Sequence, residues 1–243
     1  MNQSYDTSKK IRHLLAGIFT LSLGASLIWL ILEATGMPLT PDLGYVMNSV
    51  GDTGSINVVT AILMDYRGFD TLGEASVIFT SVAVTAAILA EPVFTLERPI
   101  LSIITRRAIA YLVPVFFMFP LYVITHGHLS PGGGFQGGVS LAVLVILTHV
   151  VFGHNLAMKK IPFSLLTMGE YWAALSFGIL GLLGIFTGVG FLANLATGVP
   201  RGIPGQLLSG GLIPVLNLIV GIKVAAGLSS LYITLEGNPR RKK

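Results

Sequence analysis

The 243-residue sequence contains no cysteine, and only 11% of its residues are charged. The absence of cysteine excludes disulfides, thiolate-ligated iron-sulfur clusters and a catalytic thiolate in this chain. No polar stretch is long enough to form a soluble catalytic domain. Lysine and arginine occur in small groups instead of one stripe, so we expect no nucleic-acid partner. We therefore expect no enzymatic activity, cofactor or bound metal in this chain.

Long apolar runs make up most of the sequence, which is 53% hydrophobic with a mean hydropathy of +0.79. A helix that crosses a bilayer needs about twenty apolar residues. The sequence therefore predicts an all-α integral membrane protein with about six transmembrane helices. They are placed near residues 11–32, 72–90, 108–126, 134–153, 163–189 and 210–233. The segment SINVVTAILM (55–64) is too short to cross and is predicted to be a re-entrant or interfacial helix on the outer side.

The distribution of lysine and arginine predicts the orientation, because cytoplasmic loops are enriched in these residues. With both termini in the cytoplasm, 12 of the 15 lysine and arginine residues lie on that side. They are Lys9, Lys10, Arg12, Arg98, Arg106, Arg107, Lys159, Lys160, Arg240, Arg241, Lys242 and Lys243. We therefore expect a multi-pass protein of the cell membrane with cytoplasmic termini.

A polar connector, ILAEPVFTLERPILSIITRR (88–107), interrupts the apolar pattern. It predicts a boundary near residue 100, between a two-span unit (1–100) and a four-span unit (101–243). The two units show no internal repeat, which argues against an inverted-repeat transporter built within one chain.

Four ionisable residues are predicted to lie inside spans: Glu74, His149, Glu170 and Lys223. An ionisable group in hydrocarbon costs from about 2.5 kcal/mol upward, so each one requires a partner or a function. At about 1.5 Å per residue, Glu170 and Lys223 reach similar depths and would meet if their helices are neighbours. Such a contact is either a neutralised structural pair or part of a hydrated route for protons or sodium ions. For His149 we favour a helix-end residue over a proton relay.

Three further charges, Asp65, Arg67 and Asp70, directly precede the second span, in which Glu74 lies near the outer end. Such charges can be explained without a role in transport, because they cap a helix end and anchor it at the level of the lipid headgroups. Glu74 is different, because an unbroken apolar span follows it, and a role as a helix anchor explains its carboxylate less well. The pattern favours an ion path at Glu74.

A glycine-rich corner, HGHLSPGGGFQGG (126–138), joins the third and fourth spans. Two imidazoles without a third ligand are a weak metal signal, and no lysine follows the glycines as a phosphate-binding loop would require. The favoured interpretation is a sharp turn with close helix packing, and a water-lined passage along exposed backbone stays open. The glycines concerned are Gly132, Gly133, Gly134, Gly137 and Gly138. Gly178, Gly181, Gly184 and Gly188 predict a similar packing surface in the fifth span.

Two of these motifs resemble a known family. DYRGFDTLGE (65–74) resembles the C-terminal end of the large A subunit of Mrp multisubunit cation/proton antiporters and the small E subunit of archaeal membrane-bound hydrogenases. PGGGFQGG (131–138), in a unit that contains NLIVGIKVAAGL (217–228), resembles the Mrp B subunit. The two resemblances cover nearly the whole chain, in the order in which such subunits follow each other.

The resemblance implies a small membrane subunit, without catalytic site, that contributes to a sodium path in an antiporter or a respiratory complex of the hydrogenase or sulfane reductase type. The implied cargo is Na⁺ or H⁺. The implied partners are membrane lipid, other Mrp-type subunits (large antiporter-like, C-type and small ones) and, in a respiratory complex, hydrogenase-like peripheral subunits. The alternative is a purely structural scaffold that carries no ion.

By motif position, Glu74 matches the glutamate implicated in the cation route, and Asp65, Arg67 and Asp70 match its outer entrance. Thr71 and Thr80, with backbone carbonyls, are candidate oxygen ligands for sodium. Lys223 lies where the archaeal B-type pattern has a lysine. Many bacterial B subunits have an aspartate where this sequence has Asn217, which argues against an exchange site at that position.

Overall fold

The computed structural model describes residues 44–88, 101–194 and 198–236, together with helical positions between 14 and 32. The chain divides into two compact units, Met1–Asp42 and Leu43–Lys243. The first predicted span, 11–32, lies only partly within the described residues, and its described positions are helical. The connector at 89–100 and the terminal lysines and arginines lie outside them, so the boundary near residue 100 stays a prediction.

Five helices of the described residues are long and apolar enough to cross a membrane. The protein is therefore an all-α integral membrane protein, as the sequence predicted. These helices are α3 (Gly68–Ile88), α4 (Ile103–Thr125), α5 (Gly134–Phe152), α7 (Phe163–Phe186) and α8 (Ile213–Glu236). Two shorter helices that the sequence did not indicate are α1 (Gly44–Thr53) and α6 (His154–Lys160).

The short segment before α3 does not cross the membrane. It consists of α2 (Val58–Ala61) and one π-helical turn (Ile62–Tyr66), together far shorter than the roughly twenty residues that a span requires. Asn57 caps α2, because its side-chain oxygen accepts the Thr60 N–H at 3.3 Å. The Asn57 amide also donates to the carbonyls of Gly127 and Ser130, each at 2.8 Å. These bonds fasten the segment to the corner between α4 and α5.

Helix α8 is the centre of the bundle and packs against α3, α4, α5 and α7. Half of its most apolar stretch is buried, whereas the corresponding stretch of α3 or α4 is 11% buried. Close approach to α5 depends on glycine: a Cβ added to Gly138 would lie 2.7 Å from the carbonyl oxygen of Gly221 and 2.8 Å from Cβ of Val224. Small residues allow such backbone contact between membrane helices.

Helix bounds differ from the predicted spans by three to five residues at several ends. Helix α3 begins at Gly68 instead of residue 72, so Asp70 lies in its first turn. Helix α8 runs from 213 to 236 instead of 210 to 233. In α7, Gly181 and Gly184 pack closely as predicted, but against the following loop and not another helix. The prediction was wrong for Gly178 and Gly188, where a Cβ would meet nothing within 4 Å.

Candidate functional site: a cavity beside Glu74

A cavity of about 110 Å³ lies where α2 with its π-helical turn, α3, the glycine corner and α8 meet. Its lining combines residues from both halves of the sequence. The lining residues are Val59, Thr60, Leu63, Met64, Thr71, Glu74, Gly132, Gly133, Gly134, Phe135, Gln136, Asn217 and Val220. One carboxylate, two hydroxyls, two side-chain amides and the glycine backbone therefore border one space.

Glu74 and Thr71 lie one turn apart on α3 and supply the α3 side of the cavity. Thr71 is buried and donates its hydroxyl to the carbonyl oxygen of Leu63 at 2.7 Å. That bond fixes the first turn of α3 against the π-helical turn. Glu74 is exposed and has no salt-bridge partner among the residues that the structure describes. Thr80, in contrast, donates to the carbonyl of Ser76 at 2.8 Å and does not line the cavity.

The glycine corner supplies the opposite wall. Gly132 and Gly133 have φ angles of 141° and 132°, values that favour glycine. Gly134 begins α5, and a Cβ there would collide with the carbonyl oxygen of Asn217. Gly137 is equally tight, since its Cβ would collide with Ile124 of α4. The corner therefore brings bare backbone against α8 and beside the cavity.

Asn217 joins the glycine corner to α8. Its side chain is fully buried, and its Oδ1 accepts the Gly134 N–H at 2.9 Å. Its Nδ2 has no hydrogen-bond partner among the described residues. The sequence analysis noted Asn217 only as the counterpart of a bacterial aspartate and did not place it at the cavity, because a neutral amide in an apolar helix does not indicate what it contacts.

The charges that precede Glu74 lie near the cavity but do not line it. Arg67 and Asp70 form an exposed ion pair of 2.7 Å. Asp65 lies in the π-helical turn, where its Oδ1 accepts the backbone N–H of Asn194 at 2.9 Å. Burial raises the pKa of Asp65, and the Asn194 hydrogen bond opposes this change.

Asn194 is a structural residue that sequence reasoning missed. Its Nδ2 donates to the carbonyls of Thr53 (3.1 Å) and Gly210 (3.2 Å), and its Oδ1 accepts the Leu212 N–H at 2.6 Å. The side chain thereby ties the end of α1 to the loop before α8. An asparagine in a loop sequence is common in turns, so its position offered no signal of this role.

Glu170 and Lys223 meet in the middle of the bundle, with 3.9 Å between Lys223 Nζ and Glu170 Oε1. The two side chains thus lie at one level on neighbouring helices, as their depths in the sequence predicted. Lys223 Nζ also lies 5.5 Å from the centre of the Phe79 ring, within cation–π range. Both charged side chains are buried and lie outside the cavity.

The remaining candidate residues are histidines. His149 is fully buried in the last turn of α5. In the corner, His126 stacks on Tyr122, with 4.1 Å between ring centres. His128 contacts the carbonyl of Leu207 through Nε2 at 3.1 Å, and burial lowers its pKa. No group of three or more metal-ligating side chains occurs in the described part of the chain.

Comparison with known proteins gives two family matches in sequence order. The family of the MBH E subunit matches residues 9–98. The family described as "Domain related to MnhB subunit of Na+/H+ antiporter" matches residues 104–230. The chain is 32% identical over 204 residues to an uncharacterised protein of Methanocaldococcus jannaschii, covering 74% of this chain and 77% of that protein. It is 36% identical over 78 residues to the B subunit of the Na⁺/H⁺ antiporter of Alkalihalophilus pseudofirmus, which spans 32% of this chain and 49% of that protein.

Two solved structures have the same fold. A chain of the membrane-bound sulfane sulfur reductase, an archaeal respiratory membrane complex, matches with a TM-score of 0.68 and 30% identity, covering 92% of this chain and 97% of that one. A chain of the Mrp complex from a Dietzia species matches with a TM-score of 0.64 and 23% identity, covering 96% of this chain but only 26% of that one.

Proposed function

We propose, given that this chain belongs to the family of domains related to the MnhB subunit of Na⁺/H⁺ antiporters, that its Glu74 cavity forms part of a sodium path. The chain is a membrane subunit of an Mrp-type module. The proposal assigns the cavity a specific task inside that module, either in an antiporter or in a respiratory complex.

The observation that carries the proposal is the chemistry of the cavity lining. Sodium is a hard cation and requires several oxygen ligands once it leaves water. Glu74 offers a carboxylate, Gln136 an amide oxygen, and the corner offers backbone carbonyls, all around one space. Thr60 and Thr71 donate their hydroxyl hydrogens to the carbonyls of Gly127 and Leu63, which leaves their oxygen lone pairs for another partner. The space has room for a few water molecules, so a partly hydrated cation fits.

Asp65, Arg67 and Asp70 form the entrance in this proposal. The Arg67–Asp70 pair is exposed, so it contributes little to stability. The pair lies at the start of α3, where it places one positively and one negatively charged side chain near Glu74. Glu170 and Lys223 lie further along the bundle and belong to the proposed route as groups that respond to the passing charge, whereas His149 lies beyond them.

The same module determines the neighbours of this chain and its orientation in the membrane. Other membrane subunits surround the chain, and α3 and α4 offer them apolar faces: Val77 of α3 is 67% exposed, and Ile104 and Tyr111 of α4 are 77% and 80% exposed. Large antiporter-like, C-type and small Mrp subunits fit these faces, with hydrogenase-like peripheral subunits in a respiratory complex. Both termini lie in the cytoplasm, the membrane is the cell membrane, and the chain performs no catalysis of its own.

The same exposed apolar faces favour the second candidate function, a scaffold that positions its partners and carries no ion. One substitution separates the two functions. Glu74→Gln in the assembled complex should lower sodium-dependent exchange in proteoliposomes by about tenfold or more, because a neutral amide replaces the charged ligand. Assembly should be unchanged, since Glu74 holds no salt bridge in the described residues.

The matched control is Ser81→Ala, seven residues further along α3. Ser81 is exposed like Glu74, and its hydroxyl only donates to the carbonyl of Val77 at 2.8 Å. This variant should exchange sodium at the wild-type rate. Normal exchange in Glu74→Gln would refute the sodium path and favour the scaffold.

A further inference from the structure

A second group of ionisable side chains lies at the far end of α8 from the Glu74 cavity. We call it the histidine cluster: His149 on α5, His154 on α6, and Tyr232 and Glu236 on α8. The His149 ring centre lies 5.9 Å from that of His154 and 6.3 Å from that of Tyr232. His154 Nδ1 lies 3.9 Å from Glu236 Oε2. His149 is fully buried, and His154 and Glu236 are nearly so.

The hydrogen bonding of His149 fixes which ring nitrogen can accept a proton. Its Nδ1 lies 2.9 Å from the carbonyl oxygen of Val145. A carbonyl can only accept, so Nδ1 carries the hydrogen and Nε2 of the neutral ring carries a lone pair. Nε2 is buried and has no hydrogen-bond partner among the described residues. His149 therefore presents a proton acceptor towards the interior of the bundle, which a purely helix-ending histidine does not require.

The cluster lies at the opposite end of α8 from the cavity. Asn217 lines the cavity and Glu236 belongs to the histidine cluster, and both are on α8. They are nineteen positions apart, which corresponds to about 28 Å of helix, close to the roughly 30 Å thickness of the hydrocarbon core. Lys223 and Glu170 lie between the two sites.

We propose that the histidine cluster is a proton-exchange site, so that sodium and protons are handled at opposite ends of α8. This inference rests on the proposed sodium path and deepens it. Imidazole is the side chain whose ordinary pKa suits proton exchange near neutral pH, whereas the cavity offers oxygen ligands.

In the proposed step, an O–H bond of a hydronium ion breaks as an N–H bond forms at His149 Nε2, which leaves a water molecule and turns the ring into an imidazolium. Its Nδ1–H stays bonded to Val145. Release of the same proton from Nε2 restores the neutral ring. Glu236 favours the charged form of His154 beside it, because an opposite charge at this distance stabilises imidazolium. Four other charged side chains that the structure describes lie at this end, and all are exposed: Lys159 and Lys160 in the last turn of α6, and Arg106 and Arg107 near the start of α4.

The test uses the assembled complex in proteoliposomes with His149→Gln, and with Glu236→Gln as a second variant that preserves side-chain volume. The control is Ser81→Ala on α3, which should exchange sodium for protons at the wild-type rate. We expect both cluster variants to lower the maximum rate of sodium–proton exchange by about tenfold or more, in the range of lost acid–base groups. The sodium concentration for half-maximal rate should stay unchanged. The solvent deuterium isotope effect should rise, because proton transfer becomes limiting.

The outcomes separate this inference from the proposed sodium path. Wild-type rates in both cluster variants, together with a slow Glu74→Gln variant, would overturn the proton site and leave the sodium path intact. A fall in rate with an unchanged isotope effect would also overturn it, because that result indicates a structural role. Wild-type exchange in Glu74→Gln with slow cluster variants would refute the sodium path alone. If His149→Gln does not assemble, Glu236→Gln decides.

Discussion

The buried pair of Glu170 and Lys223 leads to the sharpest prediction about this chain. Their charged atoms are 3.9 Å apart, and the side chains are 3% and 5% exposed. At that distance, with an effective dielectric constant near 20, two unit charges attract each other by about 4 kcal/mol. Removing one partner leaves the other charge buried without compensation, which typically costs about 3–5 kcal/mol. Removing both leaves neutral groups that occupy similar volumes.

We therefore predict a non-additive series. Glu170→Gln and Lys223→Met should each lower the free energy of unfolding by about 3–5 kcal/mol, and the double variant should lie within about 1 kcal/mol of wild type. The measurement is the unfolding of the purified complex in increasing concentrations of a denaturing detergent, and the signal is the loss of this subunit from the complex. A double variant that loses the sum of the two single effects would refute the mutual neutralisation.

The same double variant separates the two interpretations of the pair. If the charges are only structural, the double variant regains both stability and sodium-dependent exchange. If they belong to the ion route, it regains stability while exchange stays low, because no charge remains to respond to the passing ion. The comparison uses one protein in two assays, so a folding defect cannot be mistaken for a transport defect.

Two further predictions follow from packing and from pH. Gly138→Ala should destabilise the protein by about 1–3 kcal/mol in a thermal unfolding assay, because its Cβ would lie 2.7 Å from the Gly221 carbonyl oxygen. Gly178→Ala should be neutral or stabilise by up to about 1 kcal/mol in the same assay, because a Cβ there meets nothing within 4 Å. Equal effects of the two changes would contradict the close contact of α5 with α8. Burial raises the pKa of Asp65 above its ordinary value of 3.8, so its contribution to stability is fully present below that pH and is lost as pH rises through the raised pKa. The unfolding temperature of Asp65→Asn relative to wild type should therefore increase from pH 4 to pH 7, and a decrease would show that the carboxylate is stabilised in its charged form.

Much of the fold could be predicted from the apolar pattern. Five spans follow from hydropathy alone, and the brevity of SINVVTAILM indicated a segment that does not cross. Helix ends were less accurate because capping by polar side chains and the π-helical turn decide them. The turn at 62–66 moves the start of α3 to Gly68, and no hydropathy value indicates this.

The candidate site was predictable only where a charge stands out in an apolar span. Glu74, Glu170 and Lys223 are visible on that ground, and the depth of the last two was enough to suggest their contact. Asn194 was missed, and Asn217 was noted only as the counterpart of a bacterial aspartate, because a neutral amide gives no comparable signal; their hydrogen bonds nevertheless organise the cavity wall and the loop before α8. His154 and Glu236 were missed because they flank apolar runs, where solvent exposure is the ordinary expectation.

The central position of α8 has a consequence for biosynthesis. It is the last helix in the described sequence, yet its most apolar stretch is the most buried of the five candidate spans. Because α3, α4, α5 and α7 precede α8 in the chain, they are synthesised first. Their packing in the bundle is incomplete until residues 213–236 are present. Glu170 is translated before Lys223, its buried partner. Burial of this acidic side chain beside a cation therefore has to wait until α8 has been made.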